Sequence, residues 1–248
     1  MSDDIGPILK SWRYSANDLN VRFIVGEDGQ SKLQIRLDLG ILQLELDGRP
    51  DGLRPHNQES YFVHYKKLAD ARQRLNKSYT LSAVECFKLQ QEAIQYYHRY
   101  LALMKLGDYQ RVARDTQRNL ELFDFISVHA DQEDVKWSFE QYRAYVIMMH
   151  VRAFASISLK NGNFDEALAA IDRGIEQIEG YYERHGEKAG NERFEIDFLR
   201  SWADEIRNKK PSTPVEQLTR ELEKAIETEQ YERAAMLRDQ LKLHREGK

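Results

Sequence analysis

The residues able to do chemistry in this chain are few and scattered. There are seven histidines, His56, His64, His98, His129, His150, His185 and His244, and a lone cysteine, Cys86. A zinc hydrolase needs two histidines one helical turn apart with a glutamate between them. No pair here has that HExxH spacing, and none stands with Cys86 at metal-ligand spacing. The phosphate-cradling Walker loop and the GxSxG nucleophile elbow are missing as well. His64 and His98 fall on different predicted helices and could meet in the fold. Cys86 sits in a helical stretch among Val84 and Phe87, where a buried thiol is expected rather than a nucleophile. The segment Asp47-Gly48-Arg49-Pro50-Asp51-Gly52 concentrates charge in a loop. Asp and Gly are what a turn requires of its backbone, so the loop gains no catalytic weight. Tyr96, Tyr97 and Tyr100 resemble a stacking platform for bases, but helix packing explains them more simply. The expectation is a protein that is not an enzyme and has no metal or cofactor site.

Composition narrows the classes further. The 248 residues are 31% charged and 41% hydrophobic, and only 13 Gly and 5 Pro punctuate them. An all-β protein needs more turn residues than that, so long helices are expected. Lys+Arg number 37 against Asp+Glu 41, a formal net charge of -4. A dedicated duplex binder shows a basic excess, because phosphate contacts supply most of its non-specific affinity; nucleic acid is disfavoured as the main ligand. One cysteine cannot form an intramolecular disulfide, which fits a reducing compartment. Met1-Ser2-Asp3-Asp4 lacks the basic start of a signal peptide, and no apolar run approaches the ~18–20 residues that span a bilayer. A soluble cytoplasmic protein with no membrane partner is expected.

The elements form a mainly α fold in three parts: an N-terminal β-ribbon in 1–55, a TPR-like helical bundle in 56–208, and a linker with a C-terminal helical hairpin in 209–248. From Leu19 to Gly48 the apolar period is two. Val21, Phe23 and Val25 precede a Gly26-Glu27-Asp28-Gly29 turn, and Leu33, Ile35, Leu37 and Leu39 follow it. Beyond Gly40 the parity flips to Leu42, Leu44 and Leu46, so Gly40 marks a bulge, a bend or a strand break. The ribbon is expected to lay one face on the helices that follow rather than to offer its edge to another chain. From Ser60 the period is helical, with a stripe of Tyr61, Tyr65, Leu68, Arg72 and Leu75. Ser82 and Glu85 have capping-box spacing before a run to Leu106. Further helices are predicted over about 109–129, 134–160, 164–184 and 191–207. Leu106-Gly107-Asp108-Tyr109 with Val112, and Asn161-Gly162-Asn163-Phe164 with Ala167, resemble the turn and second helix of a tetratricopeptide repeat. The two glycines lie about 55 residues apart instead of the roughly 34 of a regular array. Such hairpins either present a concave surface to a partner or fold on themselves as a bundle.

Asn208-Lys209-Lys210-Pro211-Ser212 breaks the pattern as a short linker. Thr213-Pro214-Val215-Glu216 then opens a helix, with Thr as N-cap and Pro at the first helical position. Val215, Leu218, Leu222 and Ala225 recur at helical spacing, with Thr228-Glu229-Gln230 as the turn. The second helix carries Tyr231, Ala234, Ala235, Leu237 and Leu241. Small Ala234 and Ala235 beside Leu237 permit a close antiparallel approach. A hairpin of about 35 residues buries too little surface to stand alone, so its stripe must be covered by this chain, a second copy or another protein.

The pattern Leu218-x3-Leu222-x2-Ala225, then Tyr231-Glu232-x-Ala234-Ala235-x-Leu237-Arg238-Asp239, resembles the UVR motif. That motif occurs in the bacterial excision-repair proteins UvrB and UvrC and in McsA- and ClpC-type proteolysis regulators. Leu222 and Ile226 stand where members of the family often carry Met and Ala, and they keep the apolar character. The resemblance implies hairpin pairing between polypeptides rather than catalysis. Carried over, Leu218, Leu222, Tyr231, Ala234, Leu237 and Leu241 form the seam, with Arg238 and Asp239 as charged positions at its edge. It implies an adaptor whose partner is a protein, UVR-bearing or a second copy. The alternative it implies is a nucleic-acid-associated repair accessory factor. For that reading, the basic residues Lys66, Lys67, Arg72, Arg74 and Lys77, and Arg207, Lys209 and Lys210, alternate with acids as on a solvated face. Regulation of a protease-chaperone complex is a weaker third reading, with no zinc-type cysteines or ATPase motif to select it.

Overall fold

The computed structural model of the chain describes residues 4–190, 193–211 and 214–246. The fold is mainly α-helical with one small N-terminal sheet. In chain order the elements are α1 (Gly6–Ser11), β1 (Asn20–Val25), β2 (Ser31–Arg36), β3 (Ile41–Glu45), α2 (Tyr61–Arg74), α3 (Ala83–Leu106), α4 (Tyr109–His129), α5 (Glu133–Glu140), α6 (Arg143–Lys160), α7 (Phe164–His185), α8 (Phe194–Lys209), α9 (Pro214–Glu227) and α10 (Tyr231–Glu246). They divide into two compact units, Met1–Ala203 and Asp204–Lys248.

The sheet is an antiparallel meander in the order β1-β2-β3. Phe23 faces Leu33, which faces Leu44, and Val21, Ile35 and Leu42 form the next apolar row. Leu33, Ile35 and Leu44 are buried, and β1 and β2 contact α3, as expected of a ribbon laid on helices. The opposite face is polar and hydrogen-bonded across the strands. Arg22 donates to Gln34 Oε1 at 2.8 and 2.9 Å, and Gln34 Nε2 donates to Gln43 Oε1 at 2.9 Å. The N-terminal segment covers part of this face. The Arg22 guanidinium lies 4.0 Å over the Trp12 ring, and Arg36 Nε donates to the Trp12 carbonyl at 3.1 Å. Gly40 proves to be part of a strand break: Leu37 N–H donates to the Gly40 carbonyl at 2.9 Å, closing a tight turn. Leu37 and Leu39 thus leave the strand in which their alternation placed them, and both are exposed.

The helix ends follow their local chemistry. Ser82 Oγ accepts from Glu85 N–H at 3.4 Å while Glu85 Oε2 accepts from Ser82 N–H at 2.7 Å, the capping box read from the sequence. The turns after α3 and α6 share one geometry. Gly107 (φ 75°) and Gly162 (φ 76°) are left-handed. In each turn the next residue's N–H reaches back to a carbonyl five positions earlier, Asp108 to Leu103 at 3.0 Å and Asn163 to Ser158 at 2.9 Å. These are Schellman closures. Val112 and Ala167, one turn into the following helices, are both fully buried. Close approach recurs at Gly174 of α7: a Cβ built there would stand 2.4 Å from Val151 Cγ2 of α6.

Three sequence expectations are corrected. The stretch 134–160 is two helices, because the chain bends at Gln141-Tyr142 with no Gly or Pro to announce it. Tertiary contacts hold the bend: Phe139 is buried with its ring 6.0 Å from Phe123, and Arg143 pairs with Glu140 at 2.6 Å and Asp124 at 2.9 Å. The buried stripe of α2 is Phe62, Tyr65 and Ala69; Leu68 and Leu75 of the expected stripe are exposed. Asn208 and Lys209 belong to α8, so the break comes later than the composition suggested, and residues 191 and 192 of the helix predicted over 191–207 lie outside the described residues.

Beside the apolar core runs a network of buried charge. Arg99 and Asp115 are both fully buried and make a two-pronged pair, Nε to Oδ2 at 2.6 Å and Nη2 to Oδ1 at 2.9 Å. Arg99 Nη1 also donates to the carbonyls of Glu45 and Gly48, at 2.9 and 2.8 Å. Arg114 bridges Asp115 (2.9 Å), Asp47 (2.5 Å) and the Leu46 carbonyl (2.7 Å), and Arg111 joins it on Asp47. A second fully buried carboxylate, Glu92, accepts the backbone N–H groups of Tyr61 (2.8 Å) and Phe62 (3.1 Å), so it caps α2 from across the core. Arg118 pairs with it directly. Arg49 Nε stands 3.4 Å away as an ion pair without hydrogen-bond alignment.

Removing one partner of a buried pair strands the other charge, which costs about 3–5 kcal/mol. Asp115→Asn is expected to lower unfolding stability by that order in a urea titration, whereas Arg200→Ala, at the exposed Arg200–Glu179 pair, changes it by under ~1 kcal/mol. Hydrogen bonding from Arg111, then from Arg114, holds the Asp47 carboxyl down at about 2, from an ordinary 3.8. A folded-state value below the unfolded one means the pairing contributes fully above about pH 4 and is lost as pH falls through about 2. Asp47→Asn should therefore flatten the acid limb of the stability profile within that window.

Candidate interaction surface

His64 stacks on His56 with centroids 4.0 Å apart, and His98 lies against Tyr97 at 5.5 Å, so each has a partner other than the one the sequence suggested. Burial pushes the Cys86 thiol up, as expected of a packed cysteine. Among the described residues no group of three or more His, Cys, Asp or Glu side chains is placed to hold a metal. Tyr96 and Tyr100 are core residues. In the loop at 47–52, Asp47 is held by Arg111 and Arg114, and Asp47, Gly48, Arg49 and Gly52 also line a cavity of about 320 Å³. A cleft of about 390 Å³ lies among α4, α5 and α7, lined in part by Asp124, Glu133, Lys136, Glu140, Arg143 and His185. Its charges are largely answered internally, Lys136 by Glu133 at 2.7 Å and Arg143 by Glu140 and Asp124. No helix among the described residues is long and apolar enough to cross a membrane.

The hairpin is the remaining candidate. The N-cap predicted at Thr213 lies outside the described residues. At its other end α9 closes on Glu229, a non-glycine residue at φ 57°. Glu229 N–H donates to the Ile226 carbonyl at 3.0 Å and Gln230 N–H to the Ala225 carbonyl at 2.7 Å, a third Schellman closure. The turn folds α10 back along α9, and Ala225, Ala234 and Leu237 form a small buried seam with Leu218 and Leu222 against it. Leu241 is buried as well, and Arg233 of α10 reaches Glu221 of α9 at 3.2 Å.

Of the residues assigned to the seam from sequence, Leu218, Leu222, Ala234 and Leu237 are brought together and Leu241 is buried. Tyr231 is not among them, and neither is Ala235, which the sequence reading placed beside Ala234 at the close approach of the helices. Tyr231 is 69% exposed, and Ala235 is also on the open side of α10. The reason is angular. Seam positions Ala234, Leu237 and Leu241 step by three and four, and Tyr231 sits at the fraying first position while Ala235 is rotated about 100° from Ala234. Arg238 and Asp239 are exposed and pair with each other at 3.2 Å. Ile226, one of the two departures from the motif, is exposed, as is Met236, an apolar residue that the sequence reading did not single out. The apolar residues of α10 are thus spread around the helix: one set closes the hairpin and another faces outward.

The class is a small two-helix hairpin built to pack, and the family comparison agrees with it. Residues 212–245 match the UvrB/uvrC motif, UVR. Neither the curated proteins nor the solved structures contain a match to the chain. A left-handed residue without glycine's freedom costs about 1 kcal/mol. Glu229→Gly is expected to stabilise the hairpin by up to that amount, read as slowed amide hydrogen exchange in α9 and α10.

Proposed function

We propose that the protein is a non-enzymatic, cytoplasmic adaptor that joins another polypeptide through its C-terminal hairpin, the helical body serving as the second interaction module. The observation that carries this reading is the hairpin itself. Among the described residues its internal seam consists of only a few side chains, too small to stabilise about 35 residues without further cover, and Ile226, Tyr231 and Met236 are exposed. The UVR match over the same residues supports a protein partner, either a UVR-bearing protein or a second copy of this chain. A direct role on DNA gains no support from a formal net charge of -4, so a connection to repair would run through such a partner.

The test compares affinity captures from the native host with the full-length chain and with a chain ending before residue 213. The expected result is a hairpin-dependent partner, or a dimer by light scattering that becomes a monomer on truncation. Identical captures and an identical mass for both chains would remove the adaptor reading. Binding of duplex DNA that weakens steeply between low and moderate salt would favour the repair accessory factor instead.

A further inference from the structure

We propose that the face shared by α3, α6 and α8 is a second docking site, and that it takes a partner segment bearing a carboxylate beside apolar side chains. The face is a row of aromatic rings. Tyr97 of α3 and Tyr145 of α6 have ring centroids 6.2 Å apart. Two turns along α6 from Tyr145, the Arg152 guanidinium lies 4.7 Å over the ring of Phe198 on α8, and Phe198 stands 6.4 Å from Trp202. Tyr97, Tyr145, Arg152 and Trp202 are half-buried and Phe198 is exposed, so the row is open to a ligand along its length.

Arg152 is what gives this face its specificity. The other arginines of the first unit that are buried or half-buried in its helices have carboxylates: Asp115 for Arg99, Glu92 for Arg118, Asp47 and Asp108 for Arg111, Asp124 and Glu140 for Arg143. Arg36 in the sheet has backbone carbonyls. Among the described residues Arg152 has no oxygen acceptor, and its one hydrogen bond goes to Met149 Sδ at 3.4 Å. Burial among these rings draws its pKa down. Of the two carboxylates in the first turn of α8, Glu195 is engaged by the Tyr182 hydroxyl at 2.8 Å, and Asp197 is exposed and makes no ion pair with Arg152. A guanidinium flanked by aromatic surface and short of a counter-charge favours a carboxylate, with apolar neighbours that cover the rings. A single unanswered cation does not suit a run of phosphates. This site draws on residues of the first unit alone and stands whether or not the hairpin docks.

The test is selection of a random twelve-residue peptide library on the full-length chain, with Arg152→Gln as the comparison. Peptides with Asp or Glu next to aromatic or aliphatic residues are expected to emerge. They should bind the Arg152→Gln chain at least about tenfold more weakly, and Arg152→Lys should restore part of the loss. An unchanged melting transition for Arg152→Gln shows that the body is intact; if that variant unfolds, the same loss is read with Phe198→Leu. Recovery of no peptide, of peptides without an acid, or of peptides that bind both chains equally overturns the proposal, as does better competition by oligodeoxythymidylate. Equal binding would also leave the hairpin reading standing, since hairpin-bound peptides do not sense Arg152.

Discussion

The fully buried Arg99–Asp115 pair is the constraint around which the first unit is arranged. Two charges removed from water are tolerated only where geometry is good and the remaining donors are satisfied. Arg99 meets that condition by spending two nitrogens on Asp115 and the third on the carbonyls of Glu45 and Gly48. Those carbonyls end β3 and begin the loop that follows, so satisfying the charge positions the ribbon on the α3–α4 hairpin. Glu92, about two turns before Arg99 on α3, repeats the logic: its oxygens accept from the first turn of α2 and from Arg118. Ribbon, α2, α3 and α4 are therefore keyed together by oriented charge, while Leu89, Leu122 and Ile126 supply the apolar packing.

That division explains what was legible in the sequence. Local signals were readable because their causes are local. The Ser82–Glu85 box, the glycine closures at Gly107 and Gly162, and the parity change at Gly40 each need only a few neighbouring residues. The Gln141-Tyr142 bend was not readable, since ion pairs from Arg143 to Glu140 and Asp124 hold it and no turn residue marks it. The arginine network was hidden for a similar reason. Arg99, Arg111, Arg114 and Arg118 lie at spacings that look like a solvated helix face, and their partners Asp47, Glu92 and Asp115 are distributed over three elements. A turn read as backbone chemistry alone, Asp47 to Gly52, is also an electrostatic anchor. The single sequence hint was the density of arginine on the helix that carries Val112, a position that periodicity places inside.

The hairpin was more legible than the body because a motif spells it out. Its recognisable core fixes which residues can approach: Ala225 and Ala234 leave room, and Leu237 fills it. The sequence could not say which members of the motif face inward, because adjacent alanines on a helix point about 100° apart. Only Ala234 enters the seam, and Ala235 and Tyr231 are turned outward.

The two units thus solve the problem of stability by opposite means. Among the described residues the body pairs its buried carboxylates internally, whereas half-buried Arg152 has aromatic surface around it but no oxygen acceptor. Among the described residues the hairpin's seam holds no buried charge and only a few apolar side chains. Each therefore lacks something another polypeptide can supply, a carboxylate in the first case and apolar cover in the second. Because the two deficits differ in chemistry, one partner segment does not answer both. On the adaptor reading proposed above, two such surfaces suit a chain that holds two partners, or two regions of one, at the same time.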